Sequence, residues 1–216
     1  MNPIRKTSLL VTAILTFCLF STSSFAEPEH CHYATYQWNV NEKRAVNYRE
    51  VVKPYSEVTA LERDEQTGCS VCEEDQQWVQ VGDLPPVRLC KRFARDVEVS
   101  LNQLLETGHP IWKLVGYRVG MTRGELDANG NRTDFSNHSF GIALDINDEQ
   151  NGLYDQCITY SDQCRLRKGG AWSAEQEGSL TADNEIVLRM KALGFRWGGE
   201  IAGRQKDFMH FSPTGY

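Results

Sequence analysis

Past residue 26 the sequence has no apolar run long enough to cross a bilayer, which takes about 20 residues. It also has no internal repeat and no second Cys-x-x-Cys to complete a zinc site with Cys69 and Cys72. Positive charge is in deficit too, with 23 Lys and Arg against 29 Asp and Glu. The deficit argues against nucleic acid or anionic lipid as a partner. With 40% hydrophobic and 24% charged residues, the composition is neither disordered nor fibrous. A length of 216 residues suits one domain, or one domain with an appendage.

The first 26 residues differ in kind. Arg5 and Lys6 precede an apolar run from Leu9 to Phe20, and Ser24 and Ala26 are small residues at the positions a signal peptidase reads. This predicts a secretory signal peptide over 1–26. The run is short for a membrane anchor, and Phe17 stands where a lipidated Cys18 would need a small neighbour. Two basic and no acidic residues lie in this segment, so the rest carries 21 basic against 29 acidic, a formal charge of −8. Six cysteines follow: Cys31, Cys69, Cys72, Cys90, Cys157 and Cys164. An even number in an exported chain predicts disulfides, and six cysteines allow fifteen pairings. The isolation of Cys157 and Cys164 predicts that they pair with each other. Cys69 and Cys72 could alternatively form half a zinc site or a redox pair. The expected location is the periplasm or the medium, with no membrane anchor after cleavage, and the expected state is a monomer.

Residues 27–85 read as a cysteine-containing extension with a short strand at Val79–Val81, and residues 86–216 as the main domain. Val87, Leu89, Phe93, Val97, Leu101, Leu104 and Leu105 predict an amphipathic helix over 87–107, starting near Pro86. Ile111 to Arg118 reads as a strand, Met121 to Asn137 as a surface loop, and 141–147 as a strand by its alternation. Residues 148–180 read as a long polar loop, of a length that is usually functional or braced. A helix over 183–193 follows, capped by Thr181 or Asp183, then a turn at Trp197–Gly199 and a final strand at 207–212. These elements make an α+β fold: a small antiparallel sheet carrying the candidate site, flanked by helices.

Two clusters bear chemistry. SNHSFGIALDIN (136–147) contains His138 and Asp145, and DFMHF (207–211) contains Asp207 and His210. Catalytic zinc takes three protein ligands of imidazole or carboxylate type and keeps one position for water. His138, Asp145 and His210 supply such a set. A histidine beside a phenylalanine is also common as an ordinary hydrogen-bonded residue, whereas a carboxylate inside an apolar strand needs a partner.

SNHSFGIALDIN resembles the SxHxxGxAxD signature of the VanY-type D-alanyl-D-alanine carboxypeptidase family, which includes L-alanyl-D-glutamate endopeptidases. GFRWGGE (194–200) followed by DFMHF is similar to the second signature of the endolysin-type branch, and GYR (116–118) to the strand ending in the family's arginine. The resemblance covers Leu114 to Phe211. It implies one zinc ion per chain held by His138, Asp145 and His210, with Asp207 as general base. It further implies Arg118 as a substrate or oxyanion contact, with Arg123 as its nearby competitor, and Ser136 as a substrate contact. Gly141 is expected to let the backbone pass close to the metal. The implied substrate is peptidoglycan stem peptide, and the alternative is a non-catalytic wall- or partner-binding module of the same fold. Glu200 stands where the family has Asp after Trp-Gly-Gly, and it competes with Asp207 for the base role. Residues three apart on a regular strand face opposite ways, so aiming Asp207 and His210 at one ion predicts a bend at Phe208–Met209.

Overall fold

The structure is a computed structural model and describes residues 27–216. The expected signal peptide lies outside the described residues. The chain opens with a long antiparallel hairpin, β1 (His30–Asn39) and β2 (Arg44–Pro54). β3 (Gln76–Val79) then pairs with β4 (Val87–Cys90). The helix predicted from Val87 therefore starts later, as α1 (Lys91–Glu106). Val87 and Leu89 lie two apart, the spacing of a strand, and β3 gives that strand a partner. From Ala94 on the helical reading holds, with Ala94, Val97, Leu101 and Leu104 buried.

The strand expected over 111–118 shrinks to β5 (Leu114–Val115), because the Tyr117 N–H turns to donate to the Arg88 carbonyl at 2.8 Å. The loop expected over 121–137 is instead largely a hairpin, β6 (Met121–Leu126) and β7 (Arg132–Phe135). Its tip is set by Asp127, whose carboxylate accepts the backbone N–H groups of Asn129 and Asn131, both at 2.9 Å. β6 also continues the N-terminal hairpin, through a parallel pairing of Gln37 with Met121, so one sheet runs β2-β1-β6-β7.

β8 (Leu144–Ile146) lies within the stretch read as a strand. The polar segment 148–180 carries β9 (Leu153–Asp155) and β10 (Arg165–Lys168), paired antiparallel beyond the expected loop reading. α2 (Glu185–Ala192) is capped by Asn184, which accepts from the Ile186 N–H at 2.9 Å, rather than by Thr181 or Asp183. β11 (Arg196–Trp197), β12 (Gln205–Asp207) and β13 (His210–Ser212) complete the chain, with the predicted break at Phe208–Met209 between the last two. Two further small sheets result, β10-β9-β12 and β11-β13-β8-β5, both antiparallel. The fold is α+β, as expected.

Three disulfides form. Cys157 pairs with Cys164, as the sequence predicts, and Cys31 pairs with Cys72 and Cys69 with Cys90. Cys69 and Cys72 are thus bonded to separate partners, which removes the metal and redox readings of that pair. One apolar core lies where α1 and α2 cover β8 and β13, around Leu89, Leu101, Leu144, Met190 and Phe211. A second lies under the N-terminal hairpin, around Tyr33, Val71, Phe135, Phe140 and Ile142.

Candidate metal centre

Asp145 sits at the centre of β8, with Val115 of β5 on one side and His210 of β13 directly opposite on the other. The His210 Nδ1 lies 2.8 Å from Asp145 Oδ1. His138 comes from a single 3-10 turn, Asn137–Phe140, and its Nε2 lies 3.0 Å from the same oxygen. All three residues are buried, and one ligand atom from each lies within 4.8 Å of the others.

Hydrogen bonding sets the tautomer of His138. Its Nδ1 lies 2.8 Å from the Gly116 carbonyl, which can only accept, so Nδ1 carries the proton and donates. In the neutral ring Nε2 then holds a lone pair facing a carboxylate oxygen. Two acceptors at 3.0 Å repel unless a cation lies between them. Burial lowers the His138 pKa, which favours the neutral ring. Burial would raise that of Asp145, but the two histidines outweigh it and hold the carboxyl well below its usual range. Two imidazole nitrogens converging on one ionised carboxylate fit a divalent cation with nitrogen and oxygen ligands, and the Gly116 carbonyl is the outer contact that orients such a ligand.

The expected site residues fall into two groups. Asp207 and Arg118 lie at the centre. Asp207 is half-buried, and its carboxylate Oδ1 is buried without a partner among the described residues. Burial pushes its pKa up to about 6; Asp145 adds to the rise, while His210, Lys168 and Arg118 oppose it. The Arg118 guanidinium is 3.9 Å from Asp145 Oδ2, and its backbone N–H donates to the His138 carbonyl at 3.2 Å. The others are engaged with groups outside the three candidate ligands. The Ser136 hydroxyl is 3.3 Å from that of Ser139, which bonds to Gly120, so the serine braces the turn carrying His138. The Arg123 guanidinium lies 5.8 Å from the centre of the Tyr216 ring. Glu200 forms an ion pair with Lys191 at 2.5 Å, an engagement Asp207 does not have.

Gly141 needs correction. It closes the 3-10 turn at φ +65°, and a Cβ there would collide with the Gln76 side chain and the Cys90 backbone, so its close approach is to the β3–β4 pair and not to the metal ligands.

The Trp-Gly-Gly signature has a mechanical explanation. The Trp197 indole N–H donates to the Phe208 carbonyl at 2.7 Å, pinning the bend between β12 and β13. A Cβ on Gly198 would strike the Asp207 carbonyl, so glycine lets the two segments touch. Sequence reasoning missed the Gly116 carbonyl and Lys168. The first adjoins the GYR segment, but a carbonyl has no sequence signal. The second falls in the segment read as loop.

The chain matches no curated protein and no solved structure. Residues 129–213 do match the D-alanyl-D-alanine carboxypeptidase family model, a span that contains His138, Asp145, Asp207 and His210 and leaves Arg118 outside. That match agrees with the VanY-type resemblance over the segment bearing the two signatures.

Proposed function

We propose that this protein is an exported zinc peptidase that hydrolyses peptide bonds in peptidoglycan stem peptides. The observation that carries the reading is the convergence of His138 Nε2 and His210 Nδ1 on one oxygen of Asp145, beside a half-buried Asp207 whose buried Oδ1 has no partner among the described residues. Two imidazoles and a carboxylate are a catalytic zinc donor set. Zinc bound there would supply a Lewis acid and lower the pKa of a water toward about 7.

The remaining chemistry belongs to the chain. Asp207, with a pKa of about 6 before any metal binds, is placed to accept the proton of the attacking water and return it to the leaving amine. Arg118 keeps a fixed positive charge beside Asp145, suited to a developing oxyanion or a substrate carboxylate. The Gly116 carbonyl fixes the His138 ring, and the Trp197–Phe208 bond fixes the bend that separates Asp207 from His210. Three disulfides suit an oxidising compartment, and among the described residues no helix is long and apolar enough to cross a membrane. An exported monomer of the periplasm or the medium, acting on wall peptides and not on nucleic acid, is the corresponding cellular picture.

Digestion of defined muropeptides by the zinc-loaded protein, read by mass spectrometry, tests this. New peptide termini that vanish on chelation support it and identify the bond. Intact muropeptides after prolonged incubation refute it.

A further inference from the structure

Lys168 ends strand β10, and its row in the sheet leads straight to Asp207. Lys168 pairs with Leu153 of β9, and Leu153 pairs in turn with Asp207 of β12. Residues in one cross-strand row share a face, and two strand spacings put the Cα atoms about 10 Å apart. Two rows along, past the bulge between Leu166 and Lys168, the same face of β9 carries Asp155, which Arg165 opposes and bonds at 2.8 Å.

The end of β10 is clamped against the turn after β8 and the bend before β13. Gly169 adopts φ +77°, and a Cβ there would meet the Asp148 carbonyl and the tip of Met209, the neighbour of His210. The Gly170 N–H donates to the Asp148 carbonyl at 2.9 Å. Lys168 is therefore held at the rim of the centre by backbone that tolerates no side chain, and Cys157–Cys164 closes the connection between β9 and β10.

The cations of β10 differ in engagement. Arg165 and Arg167 both bond to Asp155, whereas Lys168 is exposed and has no carboxylate within ion-pair distance among the described residues. An uncommitted ammonium on a flexible stem, on the same face as a buried carboxylate, is suited to meeting an anion that approaches the site.

We propose that Lys168 forms a carboxylate-binding subsite, which selects peptides bearing a free carboxylate close to the scissile bond. Arg118, near Asp145, supplies the second cation of the same anion-attracting rim. The proposal rests on the peptidase reading for the class of substrate, and adds to it a specificity residue on the β9–β10 hairpin.

The test is calorimetric binding to zinc-loaded Asp207→Asn protein, so that the peptide is not consumed. The probes are L-alanyl-γ-D-glutamyl-L-lysine and its counterpart in which the glutamyl α-carboxylate is a carboxamide. With Lys168 present the acid should bind about tenfold tighter than the amide, the scale of one charge-assisted hydrogen bond. Lys168→Ala should bring the ratio close to one, and Lys168→Arg should keep it. Equal binding of both peptides, a preference that survives Lys168→Ala, or no binding of either overturns the subsite. If the preference is found but protein retaining Asp207 leaves the defined muropeptides intact, the subsite stands and the peptidase reading falls.

Discussion

Asp145 and His210 face each other across the β8–β13 ladder, with the imidazole Nδ1 2.8 Å from the carboxylate Oδ1. Directly opposed residues on antiparallel strands keep their Cβ atoms about 5 Å apart, so this half of the centre is as rigid as the sheet. His138 is held differently, by a 3-10 turn and one hydrogen bond to Gly116.

Metal binding to such a preformed set should stabilise the fold. At free zinc one hundred times the dissociation constant the gain is about 2.7 kcal/mol. Thermal melting should therefore rise with zinc and fall with chelator, and His210→Ala should abolish the dependence along with the bound zinc seen by elemental analysis. A melting temperature indifferent to zinc in the unmutated protein would exclude the site.

Asp207→Asn keeps the shape of the side chain and removes the base. Loss of general-base catalysis costs about 100-fold or more in kcat. Zinc content should stay at one per chain, because His138, Asp145 and His210 are untouched. Turnover at the level of the unmutated protein would rule out Asp207 as the base.

Gly198→Ala puts a methyl group against the Asp207 carbonyl. Overpacking of this kind costs about 1–3 kcal/mol. The strain falls on the bend that aims Asp207, so hydrolysis should drop while zinc binding is kept. Unaltered stability and unaltered rate together would show that the Trp-Gly-Gly turn does not position Asp207.

Glu62 joins the N-terminal hairpin to the segment before β3. Burial raises its pKa, but bonds from Lys53 at 2.5 Å, from Tyr33, and from the Thr59 N–H and hydroxyl at 2.8 Å outweigh it and hold the carboxyl at about 2, below the ordinary glutamate value of 4.5. A depressed folded-state pKa contributes stability above the unfolded value and loses it as pH falls toward the folded one. The urea midpoint of the unmutated protein should thus fall toward that of Glu62→Gln between pH 4.5 and about 2. A gap between the two proteins that stays constant over this range would contradict the assignment.

Legibility in the sequence followed the range of the interactions. The helix from Ala94 onward was readable because its buried positions repeat every three or four residues along one segment. The β6–β7 hairpin was not, since its strands are partly exposed and Asp127 to Gly130 read as loop whether or not strands flank it. β5 and β11 are only two residues long, too short to show any alternation, and exist because a distant strand pairs with them.

The ligand set needed no tertiary information to be suspected. A carboxylate in an apolar strand, with one histidine 7 residues before it and another in the DFMHF segment, restricts the chemistry by itself, and Asp207 three residues before His210 demanded a bend that is present. The pairing of Cys31 with Cys72 and of Cys69 with Cys90, the Gly116 carbonyl behind His138, and the row joining Lys168 to Asp207 were decided only by the folded chain. Each depends on contacts between residues far apart in sequence, which no local pattern encodes.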